Sequence, residues 1–79
     1  MKLQGLVAFM AKGLVDHPDD VHVEFLELAS DETVLELHVN GDDLGHVIGK
    51  QGRTARSLRL ALGAAAAHAG HKANLEIAD

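Results

Sequence analysis

Leu3, Leu6, Val7, Met10 and Leu14 recur at three- and four-residue spacing. That spacing predicts a helix over residues 3–15 with one apolar stripe. His17-Pro18 stops it, because proline lacks the amide proton that would continue the ladder and restricts the residue before it. The period then changes to two. In "VHVEFLEL", Val21, Val23 and Phe25 fall on one side and His22 and Glu24 on the other. The alternation slips at Phe25-Leu26, which predicts a bulge or a strand end there. "ASDE" turns the chain, and "TVLELHV" alternates again with Leu35, Leu37 and Val39 inward and Glu36 and His38 outward. Two such runs around a short polar turn read as a hairpin. "NGDD" breaks the strand, and its acids are placed to cap a short helix over residues 44–48. A turn over residues 49–52 precedes a longer helix over residues 53–68, closed by Gly70 as a C-terminal cap. "ANLEI" completes the chain as a strand with Leu75 and Ile77 inward.

The predicted order is α-β-β-α-α-β, an α+β chain. A three-stranded sheet with three helices packed on one face is the natural layering. The outward strand positions, His22, Glu24, Glu36, His38, Asn74 and Glu76, are all polar, so the far face should meet water. At 79 residues this is one domain over 1–79. There is no cysteine, hence no disulfide framework and no thiolate metal site. The first twenty residues are interrupted by Lys12 and Gly13 and read as an amphipathic helix, not a signal peptide. No run is long enough to cross a bilayer. The expected location is the cytoplasm.

Charge changes the picture more than composition does. The net value is −5, which read alone argues against a polyanionic partner. Yet residues 44–75 hold no acid and five cations: Lys50, Arg53, Arg56, Arg59 and Lys72. A polyanion is steered by the local field, within a Debye length of about 8 Å at physiological salt. The cations flank the turn Gly49-Lys50-Gln51-Gly52. Glycine permits backbone angles closed to other residues and removes a Cβ that would hold another backbone away. The long helix starts there, and its free N–H groups favour an anion. Glycines alone fit an ordinary tight turn between helices better, because a bare GxxG is a weak pattern.

In its context, between a short and a long helix and after a strand, "VIGKQGR" resembles the signature of a KH domain. The element order resembles the type II form. Length, N-terminal helix, "VIGKQGRTARSLR" and closing "NLEI" are similar to the small bacterial single-KH family of KhpA-type RNA-binding proteins. The resemblance implies that Gly49, Lys50, Gln51 and Gly52 clamp the backbone of about four single-stranded nucleotides. It implies an apolar pair, Val47 and Ile48, beside the bases. Of the cations, Lys50, Arg53 and either Arg56 or Lys72 are placed to meet phosphates. The implied role is an RNA chaperone or post-transcriptional regulator. The alternative is a dimerising adaptor that acts mainly through a second KH-containing protein in cell elongation and envelope control. Where many KH domains carry a large aliphatic residue, three places after the second glycine, this chain has Ala55, which implies a shallower groove floor. With no Trp or Tyr and two Phe, in the first helix and first strand, base stacking on aromatics is not expected.

At about 100° per residue, Ala55, Leu58, Leu62, Ala65 and Ala69 share one stripe of the long helix, which should pack on the sheet. Leu60, Gly63, Ala64 and Ala67 make a second stripe nearly opposite. Small residues there would let a second helix approach closely, so a homodimer, or a heterodimer with a related KH protein, is expected through it. The six histidines include no HExxH pair, and no metal site, cofactor or small-molecule substrate is expected. Ser57 has no evident base partner, and Asp19-Asp20 and Asp42-Asp43 read as turn and cap residues, so no enzyme is expected. A helix-turn-helix DNA reader fits less well, since the second helix lacks a base-reading Asn or Gln.

Overall fold

The order of elements read from the periods is the order observed. The computed structural model describes residues 3–29 and 32–79. Its helices are α1 (Leu3–Lys12), α2 (Leu44–Ile48) and α3 (Arg53–His68). Its strands are β1 (His22–Ala29), β2 (Glu32–His38) and β3 (Lys72–Ile77). The sheet order is β1-β2-β3, antiparallel between β1 and β2 and parallel between β2 and β3. Helix α1 lies against β1 and α3, and α3 lies along β3. The chain is thus α+β, with helices layered on a three-stranded mixed sheet. The "ASDE" turn falls on Ser30 and Asp31, outside the described residues.

Val7, Ala11, Val23, Leu35, Leu37, Val47, Leu58, Leu62 and Leu75 form the core. Leu35, Leu37 and Leu62 are fully buried at its centre, where each aliphatic side chain contributes about 1.5–3 kcal/mol. Two stripes differ from expectation. On α1 the deepest residues are Val7 and Ala11, with Leu3 and Met10 packed at the side. The helix ends at Lys12, where the Gly13 amide donates to the Phe9 and Met10 carbonyls, and Leu14 turns out to 41 % exposure. On α3 the stripe is Ala55, Leu58, Leu62 and Ala66; Ala65 is half-buried and Ala69 exposed. In both helices alanines share the buried stripe with larger side chains, Ala11 with Val7 and Ala55 and Ala66 with Leu58 and Leu62.

Strand β1 does not slip at Phe25-Leu26. Phe25 stays opposite Leu35 and Leu26 opposite Val34; the irregularity comes later, between Glu27 and Ala29. Phe25 is on the inner face, beyond the helical cover, and is 52 % exposed. Leu26 is an apolar residue on the outer face, which makes the alternation look broken where the backbone is regular. Helix α3 closes through the bonds of a Schellman end, the His71 amide to the Ala66 carbonyl at 2.8 Å and Gly70 to Ala67 at 3.0 Å. That end turns the chain directly into β3.

Candidate nucleic-acid interface

Helix α2 is only five residues long, and its placement depends on the chain before it. Asn40 caps the preceding turn, its side-chain oxygen accepting from the Asp42 amide at 2.9 Å. Asp43, expected to cap α2, instead turns inward. Its carboxylate is 1 % exposed and accepts from the Asp16 amide (3.1 Å), the His17 amide (2.9 Å) and His17 Nδ1 (2.9 Å). The partners are 26 and 27 residues away in sequence, so the carboxylate ties the exit of α1 to the entry of α2. Burial alone would raise the Asp43 carboxyl, but the two amides and the His17 ring hold it below its ordinary value. The hydrogen bond to Asp43 raises His17, against its own desolvation.

The signs of these shifts set a pH dependence. The His17 contribution is present below its ordinary value near 6.5 and is lost as pH rises through the raised folded value. The Asp43 contribution is present above 3.8 and is lost as pH falls through the lowered folded value. The melting-temperature gap between the native chain and a His17→Gln variant is therefore larger at about pH 5.5 than at about pH 8.5. Differential scanning fluorimetry at the two values reads this. An equal gap at both would show that the ring carries no charge in the fold.

After α2 the chain reverses in four residues. The Gly49 amide closes the helix on the Gly45 carbonyl at 2.9 Å, and Gly49 takes φ 76°, ψ 170°. Lys50, Gln51 and Gly52 make one tight turn, with the Gly52 amide bonded back to the Gly49 carbonyl at 3.1 Å. Gln51 (φ 58°) and Gly52 (φ 74°) are both left-handed, and Arg53 returns to right-handed helix. Left-handed residues followed by right-handed ones turn amide N–H groups towards one side, a concavity suited to an anion. No side chain caps the start of α3. A Cβ on Gly49 would stand 2.2 Å from Thr54 Oγ1 and 2.8 Å from the Thr54 amide nitrogen, so the bend and the first turn of α3 are in direct contact.

The site residues read from the sequence gather here, with one division. Lys50, Gln51, Arg53 and Arg56 are exposed around the bend. Ile48 is 38 % exposed beside it. Val47 is fully buried in the core, so it anchors α2 from behind and offers no surface to a ligand. Ala55 is also buried, at 4 % exposure. On the other stripe Leu60 is 69 % exposed, Ala64 and Ala67 are exposed and Gly63 is half-buried.

One residue was missed as a site residue. Arg59 Nε donates to the Leu75 carbonyl at 3.2 Å, on the free edge of β3. With Val34, Ala73, Asn74 and Glu76 it lines a shallow pocket of about 440 Å³. The signal was present: Arg53, Arg56 and Arg59 recur every three residues, a row that advances about 9 Å along the helix. The row leads from the bend to the pocket.

Comparison with known proteins identifies the family. A family model described as the KH domain of KhpA/KhpB matches residues 4–77. The chain is 45 % identical over 75 residues to the RNA-binding protein KhpA of Clostridium perfringens, covering 95 % of this chain and 99 % of that one. It is 43 % identical over 77 residues to the RNA-binding protein KhpA of Bacillus subtilis, covering 98 % and 94 %. Among solved structures, an Era variant of Aquifex aeolicus bound to GDP.AlF4- superposes with a TM-score of 0.67 over 95 % of this chain. The identity there is 19 % and the chain spans 29 % of that protein's length, so the likeness is one of fold. The match over nearly all of its length and the GKQG bend between two helices place this chain in the KhpA/KhpB family of KH domains.

Proposed function

We propose that this chain binds single-stranded RNA, with the sugar-phosphate backbone seated on the Gly49–Gly52 bend. The observation that carries this reading is the bend itself. Amides of mixed hand, an uncapped helix start and the exposed cations Lys50, Arg53 and Arg56 meet within one turn of chain. The relatives named above as RNA-binding proteins support it, and the family is one of binding modules, not of enzymes. From the bend the strand follows the arginine row towards the pocket at the β3 edge. Phe9 and Phe25 stand on α1 and β1, away from this path, so bases meet aliphatic and polar groups. Few cations and no aromatic platform make for modest affinity and low base specificity. That fits an RNA chaperone or post-transcriptional regulator. Among the described residues no helix is long and apolar enough to cross a membrane.

Titration of ¹⁵N-labelled protein with a short oligoribonucleotide tests the reading. The amides of residues 48–56 shift in fast exchange while those of His22, Glu24, Glu36 and His38, on the outer face away from the β3 edge, stay still. Shifts confined to other surfaces, or none at millimolar RNA, would refute it.

A second reading rests on a different observation. Leu60, at 69 % exposure, stands on α3 among Gly63, Ala64 and Ala67. Such a strip lets a matching helix pack at short range, as a homodimer or with a second KH-containing protein for which this chain acts as adaptor in cell elongation and envelope control. Sedimentation should give a dimer at tens of micromolar that Leu60→Asp converts to monomer. A native chain that stays monomeric there excludes the homodimer.

A further inference from the structure

The register of the hairpin makes a cluster that the linear chain hides. His22 pairs with His38 and Glu24 with Glu36, so two imidazoles and two carboxylates form a square on the outer face of β1 and β2. The His22 and His38 ring centroids are 5.8 Å apart. His38 Nε2 lies 2.8 Å from Glu36 Oε1, and His22 Nε2 lies 3.7 Å from Glu24 Oε1. Donor atoms of Glu24, Glu36 and His38 all lie within 4.8 Å of one another. The pairing is not a set of complementary ion pairs across the strands. Each residue faces its own kind, and like carboxylates directly opposite destabilise a sheet. What this arrangement satisfies is a single cation among the four heads.

We propose that His22, Glu24, Glu36 and His38 form a surface site for a divalent transition metal, of which zinc fits best. Imidazole nitrogen and carboxylate oxygen are zinc donors at about 2.0–2.2 Å, and four of them suit its tetrahedral preference. Alternate positions on two paired strands point to one face, so closure around the ion needs only rotamer adjustment, not backbone movement. Ca²⁺ and Mg²⁺ prefer all-oxygen shells, which the imidazoles exclude. A bound ion would cross-link β1 to β2 on the side of the sheet that no helix covers. The other grouping of such donors among the described residues, Asp16, Asp43 and His46, is a poorer candidate. Asp43 there already accepts three hydrogen bonds that hold α1 to α2.

Isothermal titration of the metal-free chain with zinc chloride tests this. One ion per chain binds with a micromolar dissociation constant, and a hundredfold excess over that constant raises the melting temperature by roughly 15 °C. In the NMR spectrum the imidazole signals of His22 and His38 move, while those of His17, His46, His68 and His71, and the amides of residues 48–56, do not. His22→Gln/His38→Gln loses binding at least tenfold while the metal-free chain still folds, since His22 is exposed and His38 half-buried on the outer face; Glu24→Gln weakens it less. Zinc no tighter than millimolar, or shifts centred on His17 and His46 or on His68 and His71, overturns the proposal. Neither outcome bears on RNA binding, which is read at the bend on the helical side.

Discussion

Exchanging both Lys50 and Gln51 for aspartate lowers the affinity for a short single-stranded oligoribonucleotide at least about tenfold, or about 1.4 kcal/mol. The reason lies in what these side chains can reach. Both project from the bend into solvent, on either side of the chain reversal that leads into α3. A charge-assisted hydrogen bond contributes about 1.5–3 kcal/mol, and aspartate replaces attraction to phosphate with repulsion. The fold does not depend on either residue. Exposed substitutions of this kind usually change stability by less than about 0.5 kcal/mol, and aspartate tolerates the left-handed angles at Gln51. Fluorescence anisotropy at two salt concentrations separates the effects. Affinity falls, the salt dependence flattens by about 0.7 in slope for each phosphate released from the bend, and the melting temperature holds. Undiminished binding by the folded double variant would remove the bend from the interface.

Gly49→Ala is expected to act on the fold and the site together. The φ of 76° with ψ of 170° is a region that only glycine occupies readily, and forcing a side chain into it costs about 1–3 kcal/mol. The added methyl also meets Thr54. The hydroxyl at 2.2 Å can rotate away, but the amide nitrogen at 2.8 Å belongs to the first turn of α3 and cannot. The total is about 3 kcal/mol, or roughly 15 °C in melting temperature for a chain of this size. Thr54→Ala in the same chain does not restore it. Gly52→Asn is the control. Gly52 is left-handed at φ 74°, ψ 16°, and a Cβ there meets nothing within 4 Å, so asparagine costs about 1 kcal/mol. Thermal melts of the three variants decide the matter. Equal losses for Gly49→Ala and Gly52→Asn would mean that contact with Thr54 is not what requires the first glycine.

These results sort the sequence evidence by range. The ends of α2 and α3 were legible because each is set by a local event: the break at NGDD, the bend at Gly49 and the cap at Gly70. The Gly49–Gly52 bend was legible for the same reason, since glycine spacing and neighbouring cations are properties of a few consecutive residues. Arg59 was visible as a charge but not as part of a groove, because the Leu75 carbonyl it meets lies 16 residues on. Asp43 read as a cap because acids before a helix usually are caps. Its actual partners sit 26 and 27 residues back, and only the fold of the segment after α1 onto the entry of α2 brings them near.

The stripes show the same limit from the side of packing. Periodicity placed Leu58 and Leu62 in the core, but not Ala11 and Ala66, whose burial follows from how closely each helix approaches its neighbours. Leu26 disturbed the alternation of β1 without disturbing its backbone. The order of elements, the acid-free run of cations after residue 44 and the bend before α3 follow from the amino acids alone, because periodicity, chain reversal and local charge are decided within a turn or two of chain. The depth of each stripe, the Asp43 tie, the arginine-lined pocket and the meeting of His22 with His38 were decided by the tertiary structure. Each requires two segments to choose a distance and a register, and those are settled by the packing of the whole chain.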